Sequence, residues 1–417
     1  MELLERLIGA HGVSGNEDDV RGIIADAIEP LVDELRVDSS GNLIAHKRGR
    51  APKFMLAAHM DEIGLMVREI TSSGLLLCAA VGGVSSLGMI GTRVTVEGRE
   101  ETIHGIVTTR EMSCGEDVEE VPAVDELVVD TGLTFKKLEK LGVTVGAFLE
   151  PAKETNWLTY GNTISGKALD DRIGCYCLIE IARRLKRVKQ EVYYVFTVQE
   201  EVGMHGAKTS AFAIRPRWAI VIDVTAASDL SSDAEQSTGT HLVLGEGPCL
   251  LHMDEGFIPN TELVRAIQRV ADRMNVTIQH EVSSFGTTDA SNISTVRRGV
   301  PSATVSIPIR NVHTTVEIAN RKDVMATIDL VTEILRKPPA SLKHPPGKGT
   351  RRKSAVEGKA KGIASRVAKP KKKAKKKAKK KPSKKTTSHK KEPAAARAAR
   401  FKPASKSARR RPKKRRK

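Results

Sequence analysis

Four apolar runs constrain this chain more than any other feature, because each ends in, or leads into, a side chain that can bind a proton or a metal ion. They are Lys53-Phe-Met-Leu-Ala-Ala-His59, Glu191 to Gln199 leading into Glu200-Glu201, Arg217-Trp-Ala-Ile-Val-Ile-Asp223, and Ala303 to Ile309 running into Arg310-Asn-Val-His313. A strand that is apolar on both faces must be covered on both, which implies a sheet buried between helices. In open α/β sheets the chemistry sits at the carboxyl ends of such strands. Glu200 and Glu201 can point to different sides there, so one can hold a metal while the other meets a water. A polar strand-to-loop exit would use the same two residues.

The remaining elements fit an α/β sandwich with an insertion. Glu2 to Ala10 reads as a short amphipathic helix, and Ser14-Gly-Asn-Glu17 fits a capping box ahead of a helix reaching about Leu35, kinked or divided at Pro30. Leu35 to His46 reads as a hairpin turning at Ser40-Gly-Asn. Between about Val67 and Glu154, short Val/Thr/Ile runs alternate with Gly-rich turns, and helical periodicity stands out only near Thr134 to Leu141. Closely spaced short strands predict a small β-barrel. After it come a periodic helix from Arg172 to about Lys186, a helix over Thr261–Asn275, a strand near Val276–Val282, and a final helix capped by Asn320-Arg-Lys-Asp323 and ending near Lys337. The expected organisation is a mixed-sheet catalytic domain over 1–66 and 155–337, an inserted β-barrel domain over 67–154, and a tail over 338–417.

Charge divides the chain sharply. The formal net charge of +19 averages two unlike parts: residues 337–417 carry 35 Lys and Arg against 2 acids, whereas residues 1–336 carry 34 against 48, a net of −14. The tail, with Lys371-Lys-Lys-Ala-Lys-Lys-Lys-Ala-Lys-Lys-Lys381 and a single aromatic at Phe401, lacks the apolar content to build a core and is expected to be disordered. Such cation density suits non-specific DNA or RNA phosphates through counterion release. A solubilising arm, or one folded over its own acidic oligomer, is the plainer alternative. Missing interleaved aromatics argue against base stacking.

Cysteines at 78, 114, 175, 177 and 249 are odd in number and scattered, so reduced thiols and a reducing compartment are expected. The acidic N-terminus does not resemble a signal peptide, and no window reaches 18 apolar residues. These features point to a cytoplasmic protein with no membrane partner, associated with the nucleoid if the tail binds DNA.

His59, Asp170, Glu201, Asp223 and His313 stand at strand ends or beside helix starts, and they are the residue types that bind Zn²⁺ or Co²⁺ through nitrogen and oxygen. Two imidazoles and three carboxylates suit a pair of divalent ions roughly 3.5–4 Å apart with one carboxylate bridging. Each has a plainer use: a histidine satisfied at a strand end, Asp170-Asp171 capping the helix that begins at Arg172, Asp223 serving a turn. Five such residues at successive ends are harder to assign to five separate causes.

These residues also carry a resemblance. Ala58-His-Met-Asp-Glu-Ile-Gly64, Lys167-Ala-Leu-Asp-Asp-Arg172, Gln199-Glu-Glu-Val-Gly203, Ile222-Asp-Val-Thr225 and Ile307-Pro-Ile-Arg-Asn-Val-His313 occur in an order that resembles metallopeptidase family forty-two. These are the TET and glutamyl aminopeptidases, some of whose members bear the name endoglucanase. The resemblance covers residues 1–336 and implies an aminopeptidase of the zinc-exopeptidase fold using two metal ions per subunit, with the inserted barrel as dimerisation domain and assembly up to a dodecamer. Carried over, His59 and Asp223 would hold one ion, Glu201 and His313 the other, and Asp170 would bridge. Glu200 would be the general base and Asp61 would orient His59. The chain departs from the family pattern at Thr287 in Gly286-Thr-Thr-Asp289, at Asn311, and after Asp223, where a Pro-Gly ending is missing; these loops are expected to shape the substrate pocket. A scaffold or polyanion-binding protein built on a hydrolase body, and a metal-dependent deacylase, are the alternative functions.

Overall fold

A computed structural model describes residues 2–99, 102–118, 120–152, 155–158, 161–230, 240–339 and 342. The basic segment, apart from residues 338, 339 and 342, lies outside the described residues, and with it the expected disorder.

The four apolar runs lie side by side at the centre of an 11-stranded mixed sheet, as strands Gln190–Thr197, Arg50–His59, Trp218–Ala226 and Ser302–Arg310 in that spatial order, all parallel. Thr197 pairs in register with His59, and Asp223 with Ser306, so the functional ends share one edge of the sheet. Antiparallel strands flank this centre: the hairpin Glu34–Val37 and Leu43–Lys47 on one side, and Glu317–Asn320, Thr163–Gly166 and Thr155–Trp157 on the other. Cys249–Met253 adds to Ser302–Arg310 antiparallel and carries Gln279–Val282 parallel to itself.

Helices Glu2–Ile8, Asp18–Ile28, Leu169–Arg184, Thr261–Met274 and Arg321–Arg336 cover one face of the sheet around a core containing Leu4, Ile24, Leu56, Ile173, Ile267 and Val331. His205–Ile214 and Asp289–Thr295 cover the other face through Ala207, Ala211, Ala290 and Ile293. Both faces of the apolar runs are therefore buried. With aromatics at 3% of the sequence, aliphatic side chains supply nearly all of this packing.

A closed six-strand antiparallel barrel occupies the insertion, in the order Gly64–Ile70, Leu76–Val81, Val128–Asp130, Ile103–Thr108, Arg93–Val96, Phe148–Pro151. Its interior is Leu65, Val67, Leu76, Val94, Val96, Val107, Val129 and Leu149, the inward positions of period-2 strands. Closure leaves this small sheet without a free edge. Glu150, on the last barrel strand, joins barrel to sheet: it pairs with His11, accepts from the Gly12 amide at 3.2 Å, and lies 3.7 Å from Lys167 Nζ.

Local expectations fail where tertiary partners outbid local ones. Ser14 does not cap a helix; its hydroxyl donates to Asp61 Oδ2 at 2.5 Å, and the helix begins at Asp18. That helix stops at Ile28, and Pro30 sits in a 3₁₀ turn over Glu29–Leu31 rather than in a helix reaching Leu35. The strand expected near 276–282 covers only Gln279–Val282. The barrel holds two further short helices, Ser86–Met89 and Arg110–Cys114, beside the expected one at Phe135–Lys140. They are too short to show periodicity. All five cysteines are free; four are buried and Cys114 is exposed. No described helix is long and apolar enough to cross a membrane.

Arg172 is among the largest fully buried side chains of the described residues. Its Nε donates to the Met60 carbonyl at 2.6 Å, Nη1 to the Leu7 carbonyl at 2.6 Å, and Nη2 pairs with Glu62 at 3.1 Å, while Lys167 Nζ meets the same Glu62 oxygen at 2.6 Å. One guanidinium thus fixes the N-terminal helix and the segment after His59 onto the helix Leu169–Arg184. Removing one partner of a buried ionic network strands the others. Arg172→Met should therefore lower stability by roughly 3 kcal/mol or more, measured by equilibrium unfolding in guanidinium chloride. A loss below about 1 kcal/mol would show that Lys167 alone satisfies Glu62.

Candidate metal centre

The parallel strands deliver their ends to one cavity of about 710 Å³, whose lining includes His59, Asp170, Glu200, Glu201, Asp223 and His313. Two groups of ligand atoms gather there, each within 4.8 Å: His59 with Asp170 and Asp223, and Asp170 with Glu201 and His313. Asp170 belongs to both. Its Oδ1 lies 3.1 Å from His59 Nε2, and its Oδ2 lies 3.4 Å from His313 Nε2. His59 Nε2 is 4.0 Å from Asp223 Oδ1, and His313 Nε2 is 3.3 Å from Glu201 Oε1.

Asp170 reaches this place through its local backbone. Asp170 and Asp171, joined by a cis peptide, have non-helical dihedrals at the head of Leu169–Arg184. Capping falls to Asp171: its Oδ1 accepts from the Gly174 amide at 2.9 Å, and its Oδ2 accepts from the His59 amide at 3.3 Å. Asp170 is left free to face the cavity.

Asp61 is fully buried and serves several groups together. Its carboxylate lies 3.5 Å from His59 Nδ1 and accepts the amides of Glu200 at 3.0 Å and Glu201 at 3.2 Å, besides the Ser14 hydroxyl. His59 Nδ1 also lies 3.1 Å from the Asp61 carbonyl, a contact that holds the ring with Nε2 toward Asp170. Asp61 thereby sets both the imidazole and the loop carrying the two glutamates.

Some organising residues escaped the sequence reading. Glu317 is buried and accepts from the Asp170 amide at 3.1 Å and the His313 amide at 2.9 Å, fixing two residues of the second group. It opens the short strand Glu317–Asn320, four residues past His313, whose alternating burial is a weak signal in so few residues. Asp289, at the start of a helix with little periodicity, accepts from Thr197 Oγ1 at 2.6 Å; burial pushes its carboxyl up to about 6. From the barrel, Gly82-Gly83 closes over the second group. A Cβ at Gly83 would lie 2.6 Å from His313 Nδ1, and one at Gly82 would meet Glu201 Oε2 at 3.1 Å. Only a chain without side chains passes there.

The electrostatics call for cations. Burial pushes Glu200, Asp223, Asp171 and Glu317 well above ordinary carboxyl values. Burial works against protonation of His59, yet Asp170 and Asp61 outweigh it and hold the imidazole well above its usual value. Asp170 and Glu201 push His313 up to about 11. Without metal, the imidazolium protons are the positive charge available to the carboxylates, since no Lys or Arg is among the described lining residues. Nitrogen and oxygen donors with unbalanced negative charge fit divalent cations.

The loops that depart from the family pattern have separate fates. Val224 to Ser228 and Thr287 line the cavity. Asn311 is turned away and donates to the Val316 carbonyl at 3.1 Å.

Comparison with known proteins agrees with this architecture. A family profile described as M42 glutamyl aminopeptidase matches residues 41–330. The lysyl aminopeptidase of Pyrococcus furiosus is 35% identical, covering 80% of this chain and 96% of its own. Among solved structures, an aminopeptidase from the archaeon Desulfurococcus kamchatkensis superposes with a TM-score of 0.76 at 35% identity, over 80% of this chain and 94% of that one. The TET1 peptidase of Pyrococcus horikoshii, which can assemble into a tetrahedron or a large octahedral shell, gives 0.72 at 31% identity, over 81% and 99%. A profile spanning most of the chain and a relative matched almost end to end place this protein in the M42 family of aminopeptidases, as a hydrolase of peptide bonds.

Proposed function

We propose that this chain removes N-terminal residues from peptides with a pair of divalent ions, Zn²⁺ or Co²⁺, in which His59 and Asp223 hold one, Glu201 and His313 the other, and Asp170 bridges. The observation that carries this reading is Asp170, which offers a different oxygen to each histidine from a single carboxylate. Ions bound there would supply Lewis acidity to the scissile carbonyl and lower the pKa of the attacking water.

The protein's part is proton transfer and positioning. Glu200 lines the cavity on a loop pinned by Asp61, and burial keeps its carboxyl well above the ordinary value. A base of raised pKa lining an open cavity suits removal of a water's proton and its return to the leaving amine. Asp61 acts through His59, fixing its ring rather than touching substrate. A free α-amine on the substrate finds carboxylates at the same edge, which favours cleavage at the N-terminus over blocked ends. A deacylase would show the opposite preference. A scaffold with no turnover would have no use for Glu200 beside two ligand groups.

That TET1 peptidases form a dodecamer, and that the Pyrococcus horikoshii one can assemble into a tetrahedron or a large octahedral shell, supports a closed homo-oligomer, with the dodecamer as one form. Free thiols support a reducing, cytoplasmic setting. The basic segment from about 338, net strongly positive beside an acidic body, reads as a non-specific tether to DNA or RNA, which would bring the enzyme to the nucleoid without changing its chemistry.

Three outcomes test this. Glu200→Gln should lower kcat on aminoacyl-arylamides by about 10²-fold or more while elemental analysis finds metal content intact. Asp170→Asn should depress the bound metal at both positions, read as the ion-to-protein ratio after dialysis; retention of both ions would rule out a bridge. Deletion of 338–417 should leave arylamide turnover in place and abolish DNA retention, and the full chain's DNA affinity should fall steeply between low and moderate salt. DNA binding that is indifferent to salt or to the deletion would remove the tether from this reading.

A further inference from the structure

The edge of the sheet opposite the metal groups carries the opposite charge. Arg50 opens and His59 closes one ten-residue strand, so at about 3.3 Å per residue that edge lies roughly 30 Å from the cavity. The chain enters the four central strands through Arg48 to Lys53, Arg183 to Lys189, Arg215 to Arg217 and Arg297 to Pro301. With Arg336, these segments hold 13 of the 34 Lys and Arg in residues 1–336 and no Asp or Glu, so a body of net −14 is basic at this edge. The segments are neighbours in space. The Arg50 amide donates to the Lys189 carbonyl at 2.9 Å, the Arg217 amide to the Lys53 carbonyl at 2.8 Å, and Arg297 Nε to the Phe212 carbonyl at 2.9 Å, on the helix that leads to Arg215.

Helix ends account for part of this charge. Arg183, Arg184 and Arg336 lie in last turns, where cations answer the negative end of the helix dipole, and they and Lys337 pair with Glu180, Asp329 and Glu333. The loops beyond the helices hold the rest. Arg50, Lys186, Arg187, Lys189, Arg215 and Arg298 are exposed and have no ion pair among the described residues. The basic segment starts at the same edge. Lys337 and Pro338 line a cavity of about 490 Å³ with Pro52, Phe54, Lys189 and Arg336, and the carbonyl of the buried Leu342 accepts from Trp218 Nε1 at 3.3 Å.

Resting on the reading of the basic segment as a nucleic-acid tether, we propose that this edge is a second phosphate-binding surface, built on the folded body, against which duplex DNA held by the segment lies. Exposed, unpaired cations in adjoining loops neutralise phosphates and release their counterions without reading bases. A duplex fits better than a single strand, because stacking needs open aromatic faces. Phe54 and Trp218 are buried here, and Phe212 carries the Arg297 guanidinium over its ring at 3.5 Å. On a body of net −14 the surface alone is too weak to retain DNA; the segment, rooted at Leu342, presents the duplex to it at high effective concentration. DNA bound there lies away from the metal groups, so the cavity stays open to peptides.

The test measures affinity for a short mixed-sequence DNA duplex by fluorescence anisotropy, across a salt series, on the full-length chain. One variant combines Arg50→Gln, Arg187→Gln and Lys189→Gln; a control combines Lys136→Gln, Lys137→Gln and Lys140→Gln, exposed cations of the barrel. The first variant should reduce the steepness of log affinity against log salt by about 2 to 3 and bind about tenfold or more weakly at moderate salt. The control should keep the slope of the unmodified chain, and both should keep arylamide turnover. Acetylation of lysines should be blocked by the duplex at Lys186 and Lys189 but not at Lys137. Equal losses in the two variants, or none in the first, would overturn the surface and leave the tether standing. Protection of Lys189 by phosphatidylserine vesicles and not by the duplex would do the same. A full-length chain that binds no duplex would overturn the tether reading beneath it.

Discussion

Crowded negative charge at one edge of a buried sheet is the constraint on which the rest of the structure depends. Asp61, Asp170, Asp171, Asp223, Asp289 and Glu317 are all buried near the same strand ends, with His59 and His313 as the partners that can carry positive charge. Desolvating this many carboxylates is tolerable only if backbone amides, hydroxyls and cations answer them. The amides of residues 59, 170, 174, 200, 201 and 313 answer some, and the hydroxyls of Ser14 and Thr197 others. What is left unanswered faces the cavity, where ligand groups for cations form. Stability and function draw on the same charges.

Support for that edge comes from far along the chain. Arg172 ties the first helix to the segment leaving His59, and Glu150 ties the barrel to the sheet beside it. The barrel also reaches the site directly, through Gly82-Gly83 against Glu201 and His313. An insertion of this kind does more than decorate the sheet, because its glycines form part of the wall behind one group of ligands.

Around Asp170 the donors converge within 4.8 Å, close enough to share ions, while Asp254 and Glu281, also in the cavity lining, are tied to the Gly256 amide and the Thr225 hydroxyl instead. Family membership leaves the choice of side chain open, since one match is described by glutamyl and another by lysyl specificity. Val224 to Ser228 and Thr287, where this chain departs from the family pattern, belong to the lining of that cavity.

The central sheet was legible in the sequence because buried parallel strands are written as unbroken apolar runs, and their ends mark themselves with His59, Glu200, Asp223 and His313. The barrel was legible from its turn spacing. Elements too short for periodicity, such as Ser86–Met89 and Glu317–Asn320, were not, and Ser14 was misread because a local capping pattern cannot reveal that Asp61 lies within reach of its hydroxyl. The amino-acid sequence by itself determined which residues could hold charge at the strand ends, since burial of the runs forces those ends to one edge. Only the tertiary structure decided that Asp171 caps while Asp170 belongs to both ligand groups, and that Glu317 and Asp61 hold those groups from behind. Those outcomes depend on which distant groups meet, and hydrogen-bond satisfaction is settled by the meeting rather than by the order of residues.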